Sequence, residues 1–597
     1  CQPWTMSITL LNTVRQGRRE ITGFLIGLLI VFTAPAIAQD RQPEDGTGRQ
    51  SHPLAQAERH MVAAAHPQAV AAGLEMLRAG GSAADAAVAV QLVLNLVEPQ
   101  SSGIGGGAFL LHHDGKTQEL IAYDGRETAP AAATEKLFLR ADDTPMKFFD
   151  ALVGGRSVGT PGTVALLASV HESHGRLPWK RLFEPAIALA ENGFTVTPRL
   201  VGSLQGSRGE RLRSYGPAAA YFFPNGEALR AGSTVTNKPF AETLRAIADR
   251  GPSAFYSGAI AQDIVATVRG ATGNPGLLAE ADLADYRVIK RTPVCHSYRG
   301  HRVCGMGPPS SGALTVGQIL GILEHFDLPN LGPENTDSWH LIAEASKLAF
   351  ADRARYIADA DFVPVPVKGL LDPAYLTGRA QSISLNAALS APVAAGNPPW
   401  RDGSRFAPDR SRGRPGTSHI SIIDGDGNAV SMTTTIEGAF GSQLMVRGFL
   451  LNNELTDFSF PPALYNRPIA NRVEPGKRPR SSMAPTMVFD GDGKLEFIIG
   501  SPGGSRIIGY VAQTLIAVLD WGLDVQAAID MGHVVNRNGA TDFEVGTNAI
   551  LFQPGLEARG HETRRRDLNS GLHGIAVTKD GIRGGADPRR EGVARGD

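Results

Sequence analysis

The feature that most constrains the fold is a hairpin pattern, in which two strand-like segments are separated by a five-residue turn. Residues 417–423 and 429–435 are rich in β-branched and apolar residues, which favour strands. Between them, residues 424–428 read Asp-Gly-Asp-Gly-Asn, a sequence whose glycines and Asx residues favour a tight turn. We therefore expect the chain to fold back here and to bring Thr435 next to Thr417.

Gly416 stands directly before this hairpin, and the Gly416–Thr417 pair predicts a nucleophile made by self-cleavage. A threonine hydroxyl is too weakly acidic to attack an amide unaided, but scission of this bond leaves a free α-amine on the same residue, where it can act as the base. The reference pKa of such an amine is roughly 7.7–8.0, so much of it is neutral at mildly alkaline pH. Glycine tolerates strained dihedrals and leaves its carbonyl open to the neighbouring hydroxyl. Taken alone, residues 417–423 favour an ordinary edge strand rich in Thr and Ser.

Six further motifs lie on both sides of the hairpin and change that weighting. They are Pro-Gln-Ser-Ser-Gly-Ile-Gly-Gly-Gly at 99–107, Asp-Gly-Arg-Glu-Thr-Ala-Pro at 124–130, Pro-Pro-Ser-Ser-Gly at 308–312, Leu-Leu-Asn-Asn-Glu-Leu-Thr-Asp at 450–457, Arg-Ser-Ser-Met-Ala-Pro at 480–485 and Gly-Ser-Pro-Gly-Gly-Ser-Arg at 500–506. In this order and spacing the set resembles the γ-glutamyltransferase (γ-glutamyl transpeptidase) family, from about residue 57 to the end of the chain. Several independent motifs in one order are hard to obtain by chance.

The resemblance implies an N-terminal-nucleophile hydrolase of mixed α/β (α+β) class, a four-layer αββα sandwich formed jointly by a large and a small subunit. It also implies an exported γ-glutamyltransferase/glutathione hydrolase that cuts itself between Gly416 and Thr417. Thr417 then attacks the γ-amide carbonyl of glutathione or a related donor, and water, an amino acid or a peptide resolves the γ-glutamyl ester. No organic cofactor or metal is implied.

The resemblance also assigns roles to residues around the nucleophile. Thr435 hydrogen-bonds Thr417 and orients its hydroxyl. Gly503 and Gly504 present backbone N–H groups with no side chain in the way, which suits an oxyanion. Glu437 stands where some members of the family carry asparagine, and it adds a negative charge beside the nucleophile. Residues 461–465 form a shorter segment than members with a lid loop have, so the resemblance does not extend to a lid.

A γ-glutamyl group needs a cation for its α-carboxylate and acidic groups for its α-ammonium. Arg126 matches the family arginine, whose planar fork can grip a carboxylate through two hydrogen bonds. Ser481 and Ser482 can add hydroxyl donors to the same carboxylate. Glu454 and Asp457 match positions that accept the protons of the ammonium in the family.

The amino-terminal residues predict an export signal, and the chain is divided accordingly. Three arginines at 15, 18 and 19 precede the apolar run at 24–32, and Ala-Ile-Ala at 36–38 supplies small residues for signal peptidase. The apolar run is too short for a membrane anchor. We expect a signal peptide at 1–38, a large subunit at 39–416 that ends in a flexible linker at about 391–416, and a small subunit at 417–597. The mature protein is expected in the periplasm or outside the cell, without a membrane anchor.

Charge and cysteine content narrow the partners and the chemistry. With Lys+Arg 58 against Asp+Glu 59, the net charge of −1 provides no general attraction for nucleic acid, so small molecules are the expected partners. Cys295 and Cys304 flank a predicted two-residue turn, Arg299-Gly300, which places them opposite each other as either a disulfide or two free buried thiols. The chain has no CxxC or HExxH motif, so no metal site is expected.

Residue patterns also predict individual helices and strands. Helical periodicity covers residues 63–79, 82–97 and 339–358, with Ser82 and Asp85 placed as a capping-box variant. Strands are expected at 108–112, 119–123, 418–423, 429–435, 483–489 and 495–499. The interleaved elements lack the regular rhythm of a doubly wound sheet.

Two alternatives to the γ-glutamyltransferase interpretation remain. One is a relative that acts on the glutaryl side chains of β-lactams, a glutaryl or cephalosporin acylase. Such a substrate has no α-ammonium, so the presence of Glu454 and Asp457 beside Arg126 disfavours it. The other is a periplasmic glutamate- or peptide-binding protein without catalysis, for which self-cleavage has no purpose.

Overall fold

The structure is a computed structural model that describes residues 48–399, 405–411 and 416–597. The predicted signal peptide lies outside the described residues, as do parts of the predicted linker. In chain order the strands are β1 (Ala55–Ala57), β2 (Met61–Ala64), β3 (Gly107–His113), β4 (Leu120–Gly125), β5 (Phe194–Thr195), β6 (Thr234–Val235), β7 (Ile289–Arg291), β8 (Val294–Tyr298), β9 (His301–Gly305), β10 (Gly416–Ile423), β11 (Ala429–Glu437), β12 (Met445–Val446), β13 (Phe449–Leu450), β14 (Ala463–Leu464), β15 (Arg467–Pro468), β16 (Thr486–Phe489), β17 (Leu495–Gly500), β18 (Val534–Asn536), β19 (Thr541–Glu544), β20 (Thr563–Arg566), β21 (His573–Thr578), β22 (Gly581–Ala586) and β23 (Val593–Gly596).

Helices supply most of the remaining regular structure. They are α1 (Pro67–Arg78), α2 (Ala83–Val97), α3 (Phe148–Leu152), α4 (Thr163–His174), α5 (Glu184–Asn192), α6 (Pro198–Gln205), α7 (Ser207–Leu212), α8 (Gly216–Phe222), α9 (Lys238–Arg250), α10 (Ser253–Tyr256), α11 (Ala259–Arg269), α12 (Glu280–Ala284), α13 (Gly312–Leu323), α14 (Leu328–Leu331), α15 (Thr336–Tyr356), α16 (Val367–Leu370), α17 (Pro373–Ala380), α18 (Ile507–Leu519), α19 (Val525–Asp530) and α20 (Gln553–Ala558). None of the helices within the described ranges is long and apolar enough to cross a membrane.

Two seven-stranded antiparallel sheets form the centre of the fold. One sheet has the order β1-β22-β21-β17-β16-β9-β8, and the other has the order β23-β2-β10-β11-β3-β4-β7. Each sheet combines strands from before and after Gly416. Strands on the two sides of the proposed cut are therefore hydrogen-bonded neighbours in both sheets.

The packing of alternate residues shows that the sheets lie face to face between two helical layers. In β3, Phe109 and Leu111 join the core that also contains the first sheet and helices α13, α15 and α18. Ala108 and Leu110 point the opposite way and pack with α1 and α2. The predicted four-layer αββα sandwich is confirmed.

Helix α2 illustrates how the sequence sets the local structure. Ser82 caps its first turn, and the backbone N–H of Ser82 donates in return to Asp85 at 2.8 Å, so the predicted capping box is present. The preceding helix is shorter than its pattern predicts. Residues 63 and 64 belong to strand β2, because the backbone there pairs with β10 and β23 instead of continuing a helix.

The hairpin of β8 and β9 has the predicted two-residue turn. Arg299 and Gly300 both have positive φ, at 51° and 84°, as a turn matched to the twist of the strands requires. Cys295 and Cys304 are directly opposite in the register, and the structure joins them in a disulfide. The structure therefore has the disulfide and not the two free thiols that the sequence left as the other alternative.

Candidate active site

Thr417 is the second residue of β10, and it lies opposite Thr435 of β11 as the hairpin pattern predicts. The register of the two strands shifts at this point: Gly416 pairs with Glu437 and Thr417 with Thr435, so Ile436 is an extra residue on β11. Such a bulge bends the strand and re-aims the neighbouring side chains. The irregularity therefore falls at the bond that the sequence singles out for cleavage.

The hydroxyl of Thr435 connects the hydroxyl of Thr417 to the carbonyl of Gly416. Its Oγ1 donates to the carbonyl oxygen of Gly416 at 2.6 Å. Oγ1 of Thr435 also accepts hydrogen bonds, from Thr417 Oγ1 at 3.3 Å and from the backbone N–H of Glu437 at 2.8 Å. A hydroxyl that accepts two hydrogen bonds donates more strongly, and its donation polarises the carbonyl of Gly416.

Only glycine fits at position 416. A Cβ atom built there would lie 2.9 Å from the backbone carbon of Gly438 and 3.0 Å from the carbonyl oxygen of Glu437. Both are backbone atoms and cannot move aside without displacing the strand. The glycine before Thr417 therefore lets strands β10 and β11 approach closely at the bulge.

Gly503 and Gly504 lie at the start of a helical segment. They precede helix α18, and their φ angles are 135° and 57°. A Cβ on Gly503 would meet the ring of Tyr510 at 2.6 Å, so this position also requires glycine. No described residue accepts a hydrogen bond from the backbone N–H of either glycine. These donors and the positive end of the helix dipole suit a developing negative charge.

One cavity collects the residues that the sequence assigns to catalysis and substrate binding. Its walls include all of the predicted catalytic and substrate-binding residues except Gly503: Arg126, Thr417, Thr435, Glu437, Glu454, Asp457, Ser481, Ser482 and Gly504. Gly503 is the chain neighbour of Gly504, which lines the cavity. Residues from both sides of the proposed cut therefore line one cavity.

Arg126 is bound to both acidic residues that the sequence assigns to the substrate ammonium. Its Nη1 donates to Glu454, and its Nη2 donates to Asp457 at 2.6 Å. Two backbone carbonyls, those of Pro479 and Arg480, accept from the same guanidinium at 3.1 and 3.3 Å. The guanidinium is almost fully buried. In this structure the predicted carboxylate binder thus holds the two acidic groups in place.

A third carboxyl group, that of Glu127, lies beside this ion pair. Burial, with the nearby Glu454 charge, raises the pKa of Glu127 well above its usual value. Burial also raises the pKa of Glu454 to about 7 and the pKa of Asp457. The Arg126 guanidinium lies against all three carboxyl groups, and its single positive charge cannot offset three buried negative charges. Burial and the neighbouring Glu454 charge therefore favour the neutral form of Glu127.

Ser481 and Ser482 are fixed by residues from the first part of the chain. Ser311 donates from its Oγ to the carbonyl of Ser481 at 2.7 Å, and the backbone N–H of Ser481 donates to Pro309 at 3.0 Å. Ser482 Oγ accepts from Nη2 of Arg353 at 2.6 Å. The Pro-Pro-Ser-Ser-Gly motif therefore clamps the serine loop, a function that the sequence alone did not indicate.

Glu437 lines the cavity and has a left-handed backbone, with a φ of 72°. Its carboxylate accepts a hydrogen bond from the side-chain amide of Asn453. That amide also donates to Thr456 at 3.0 Å, while its oxygen accepts from the backbone of Gly438 at 2.8 Å. Asn453 thus ties the end of β11 to the segment that carries Glu454 and Asp457.

The described part of the linker is attached next to the cavity. Asp409 accepts from Arg480 at 2.8 Å and from Asn471 at 3.1 Å. Ala407 makes a parallel bridge to Ile469. Residues 405–411 are therefore bound along the segment after Asp457, whereas the sequence predicts a flexible linker over this range.

Sequence analysis did not identify Arg353 or Glu127 as site residues. Arg353 lies near the end of α15 and lines the cavity, and its Nε donates to Ser311 at 2.8 Å. The only signal for Arg353 in the sequence is a charged residue within a largely buried helix. Glu127 directly follows Arg126 in the sequence, and only its burial beside the ion pair of Arg126 shows that it belongs to the site.

Within the described ranges, one group of side chains has the spacing of metal ligands: His340, Glu344 and His561. They are already bonded to one another and to protein groups. His340 and His561 share a hydrogen bond of 2.8 Å, and Lys347 forms an ion pair with Glu344 at 2.6 Å. Lys347 therefore already provides a positive charge for Glu344.

Comparisons with known proteins agree with this geometry. The sequence model of the family described as Gamma-glutamyltranspeptidase matches residues 69–596. The chain belongs to the γ-glutamyltranspeptidase family. Its members are enzymes of the N-terminal-nucleophile hydrolase class, with hydrolase and transferase activity.

Three similar proteins show the range of the family. A protein of Bacillus subtilis named glutathione hydrolase proenzyme is 36% identical, over 96% of this chain and 98% of its own. A Pseudomonas protein named acylase ACY 1 proenzyme is also 36% identical, over 88% and 91%. The solved structure of a cephalosporin acylase from Bacillus halodurans has a TM-score of 0.80 and 28% identity, covering 92% of this chain and 97% of that one. The family therefore includes both glutathione hydrolases and acylases.

Proposed function

We propose that this member of the family is an exported γ-glutamyltransferase/glutathione hydrolase that cuts itself between Gly416 and Thr417. The observation that carries the proposal is the hydrogen-bonded arrangement of Thr417, Thr435 and the Gly416 carbonyl. It lies in the same cavity as Arg126, Glu454 and Asp457, a cation and two acidic groups that suit the charges of an amino acid.

The first reaction is the cleavage of the chain. Thr417 Oγ1 attacks the carbonyl carbon of Gly416, and the hydrogen bond from Thr435 stabilises the negative charge on the carbonyl oxygen. The C–N bond then breaks, the nitrogen takes the proton lost by the hydroxyl, and an ester joins the two residues. Water hydrolyses the ester and leaves a carboxylate on Gly416, a hydroxyl on Thr417 and a free α-amine.

Turnover uses the same nucleophile on a donor amide. The α-amine of Thr417 accepts the proton of its own hydroxyl, and the oxygen attacks the γ-carbonyl of the donor. The backbone N–H groups of Gly503 and Gly504 bind the oxyanion, and the proton passes to the leaving amine. Water, an amino acid or a peptide then attacks the γ-glutamyl ester and restores the hydroxyl of Thr417.

The charges of the cavity favour a γ-glutamyl donor over a glutaryl one. Glu454 and Asp457 are held side by side by Arg126, and such a pair attracts an ammonium group. A glutaryl group has no ammonium to offset these two buried acids. The acylase alternative is supported by the similarity to the Pseudomonas and Bacillus halodurans acylases, and the binding-protein alternative has no role for the hydroxyl arrangement.

A direct assay tests the proposed function. Purified protein is expected to hydrolyse γ-glutamyl anilide faster than glutaryl anilide, and its shorter fragment is expected to begin Thr-Ser-His-Ile at residue 417. Mass spectrometry of the fragment and release of the aniline chromophore measure the two results. Preference for the glutaryl compound would identify an acylase, and an uncut protein that binds glutamate without turnover would identify a binding protein.

Activity toward γ-glutamyl anilide is expected to fall in acid partly because Glu454 takes up a proton. Burial raises its pKa to about 7, so below this pH the group is neutral and attracts the substrate ammonium less. The ratio of kcat/KM for the wild type to that for Glu454→Gln should therefore rise between about pH 6 and pH 8. Both proteins share the Thr417 amine, so its titration cancels in the ratio. A ratio independent of pH would exclude this role for Glu454.

We propose that two pieces remain together as a heterodimer. The large piece runs from about residue 39 to Gly416, and the small piece runs from Thr417 to Asp597. Both sheets contain strands from each piece, which supports a shared core after cleavage. Export to the periplasm or beyond is supported by the signal pattern at 1–38 and by the disulfide, since disulfides persist in oxidising compartments.

A further inference from the structure

Three arginines line the cavity, and they differ in what they bind. Arg126 is paired with two carboxylates, and Arg480 is paired with Asp409 at 2.8 Å. Arg353 is bonded to hydroxyl groups: its Nε donates to Ser311 at 2.8 Å and its Nη2 to Ser482 at 2.6 Å. Among the described residues, no carboxylate forms an ion pair with Arg353.

Arg126 and Arg353 also differ in how many of their N–H donors remain unused. A guanidinium has five N–H bonds. Those of Arg126 are directed at Glu454, Asp457 and two backbone carbonyls, which occupy both edges of its fork. For Arg353, no described residue accepts a hydrogen bond from Nη1. Arg353 therefore has unused donors on a cavity wall, whereas Arg126 has few.

The surroundings of Arg353 favour an anion. Burial, together with the Arg480 cation, lowers the pKa of Arg353 well below its usual value, so its positive charge is poorly stabilised when the cavity holds no anion. Asp457 also attracts the guanidinium of Arg353, and that guanidinium opposes the rise that burial causes in the pKa of Asp457. A cationic position and an acidic position thus lie within electrostatic range of each other, as the two charges of an amino acid require.

We infer that Arg353 is a carboxylate-binding residue of the donor site, acting with Ser482 and alongside Arg126. Its free Nη1 donates to the α-carboxylate of the γ-glutamyl group, while its Nη2 holds the hydroxyl of Ser482 in position to donate as well. Arg126 keeps Glu454 and Asp457 in place for the ammonium on the same carbon. This assignment rests on the proposed function and makes donors with an α-carboxylate the preferred class.

Three anilides separate the charges that the site recognises. γ-Glutamyl anilide has both the carboxylate and the ammonium, 4-aminobutanoyl anilide lacks the carboxylate, and glutaryl anilide lacks the ammonium. Arg353→Gln is expected to lower kcat/KM for γ-glutamyl anilide about 10- to 100-fold, the value of one hydrogen bond to a charged group. The value for 4-aminobutanoyl anilide should change by less than about 3-fold, because that donor makes no contact with the missing group. Glutaryl anilide, where it reacts, should be affected like the γ-glutamyl compound.

Controls distinguish substrate binding from a structural role. Arg250→Gln, an exposed substitution in the last turn of α9, should leave all rates unchanged. An equal loss with every anilide in Arg353→Gln would overturn the assignment. If that variant does not cut itself, Arg353→Lys, which keeps the charge but not the fork, gives the result through the same ratio. A selective loss supports the assignment and a uniform loss overturns it. Wild-type protein inactive on γ-glutamyl anilide would instead refute the proposed function.

Discussion

Thr417→Ala is expected to remain a single uncut chain on a denaturing gel and to lose at least about 10⁴-fold in kcat, the scale seen when a nucleophile is removed. The alanine has no oxygen to attack Gly416, so neither the ester nor the free amine can form. Both the cleavage and the turnover depend on the same side chain, which makes this the largest effect that any single substitution should cause. Gel electrophoresis and an anilide assay on the same sample measure both.

Thr417→Ser is the matched control for this substitution. It restores a hydroxyl at the position that contacts Thr435, so it should cut itself and recover part of the activity. An alanine variant that is still cut before residue 417, or that retains turnover, would place the nucleophile elsewhere. The proposed mechanism would then fail at its first step.

Arg126→Met is expected to reduce the free energy of unfolding by about 3–5 kcal/mol at neutral pH, the usual cost of removing one partner from a buried ion pair. The substitution leaves Glu454 and Asp457 buried beside Glu127 without the guanidinium that contacts both of them. Urea denaturation in the uncut Thr417→Ala background measures the change, since a single chain can refold. Activity toward γ-glutamyl donors should be lost as well.

The pH dependence of this stability loss identifies its cause. Without the guanidinium, the pKa values of the carboxyl groups rise further above their unfolded values, so the folded variant binds more protons than the unfolded chain in mild acid. The difference from the Arg126 parent should therefore shrink as the pH falls from about 8 to about 5. The double variant Arg126→Met/Glu454→Gln, with one fewer buried charge, should recover part of the stability. An equal loss at every pH would point to packing instead of charge.

Features with local signals were predictable from the sequence. The hairpin of β10 and β11 follows from strand propensity on both sides of a glycine-rich turn, and the turn at Arg299-Gly300 follows from the spacing of the two cysteines. The αββα architecture came from the resemblance of ordered motifs, since no single pattern specifies which strands pair across the chain. Residues 63 and 64 were assigned to a helix because an apolar, alanine-rich run is compatible with both periodicities.

The contacts inside the cavity were not predictable in this way. Arg126 and Glu454 are 328 positions apart, and their ion pair depends on how β4 and the segment after β13 are placed by the sheets. The role of Arg353 depends on Ser482, which is 129 positions away. The raised pKa of Glu127 results from burial and from the nearby charge of Glu454. None of these relations leaves a periodic or compositional trace in the sequence.

The interleaving of strands in the two sheets has a consequence for how such an enzyme can be made. Because β2 of the first piece lies between β10 and β23 of the second, neither piece contains a complete sheet by itself. Under the proposed cleavage, assembly must precede the cut, and the cut would turn a unimolecular equilibrium into one between two molecules. Once denatured and diluted, the two proposed pieces would have to find each other by diffusion, so the cut form would persist through slow unfolding and not through ready renaturation.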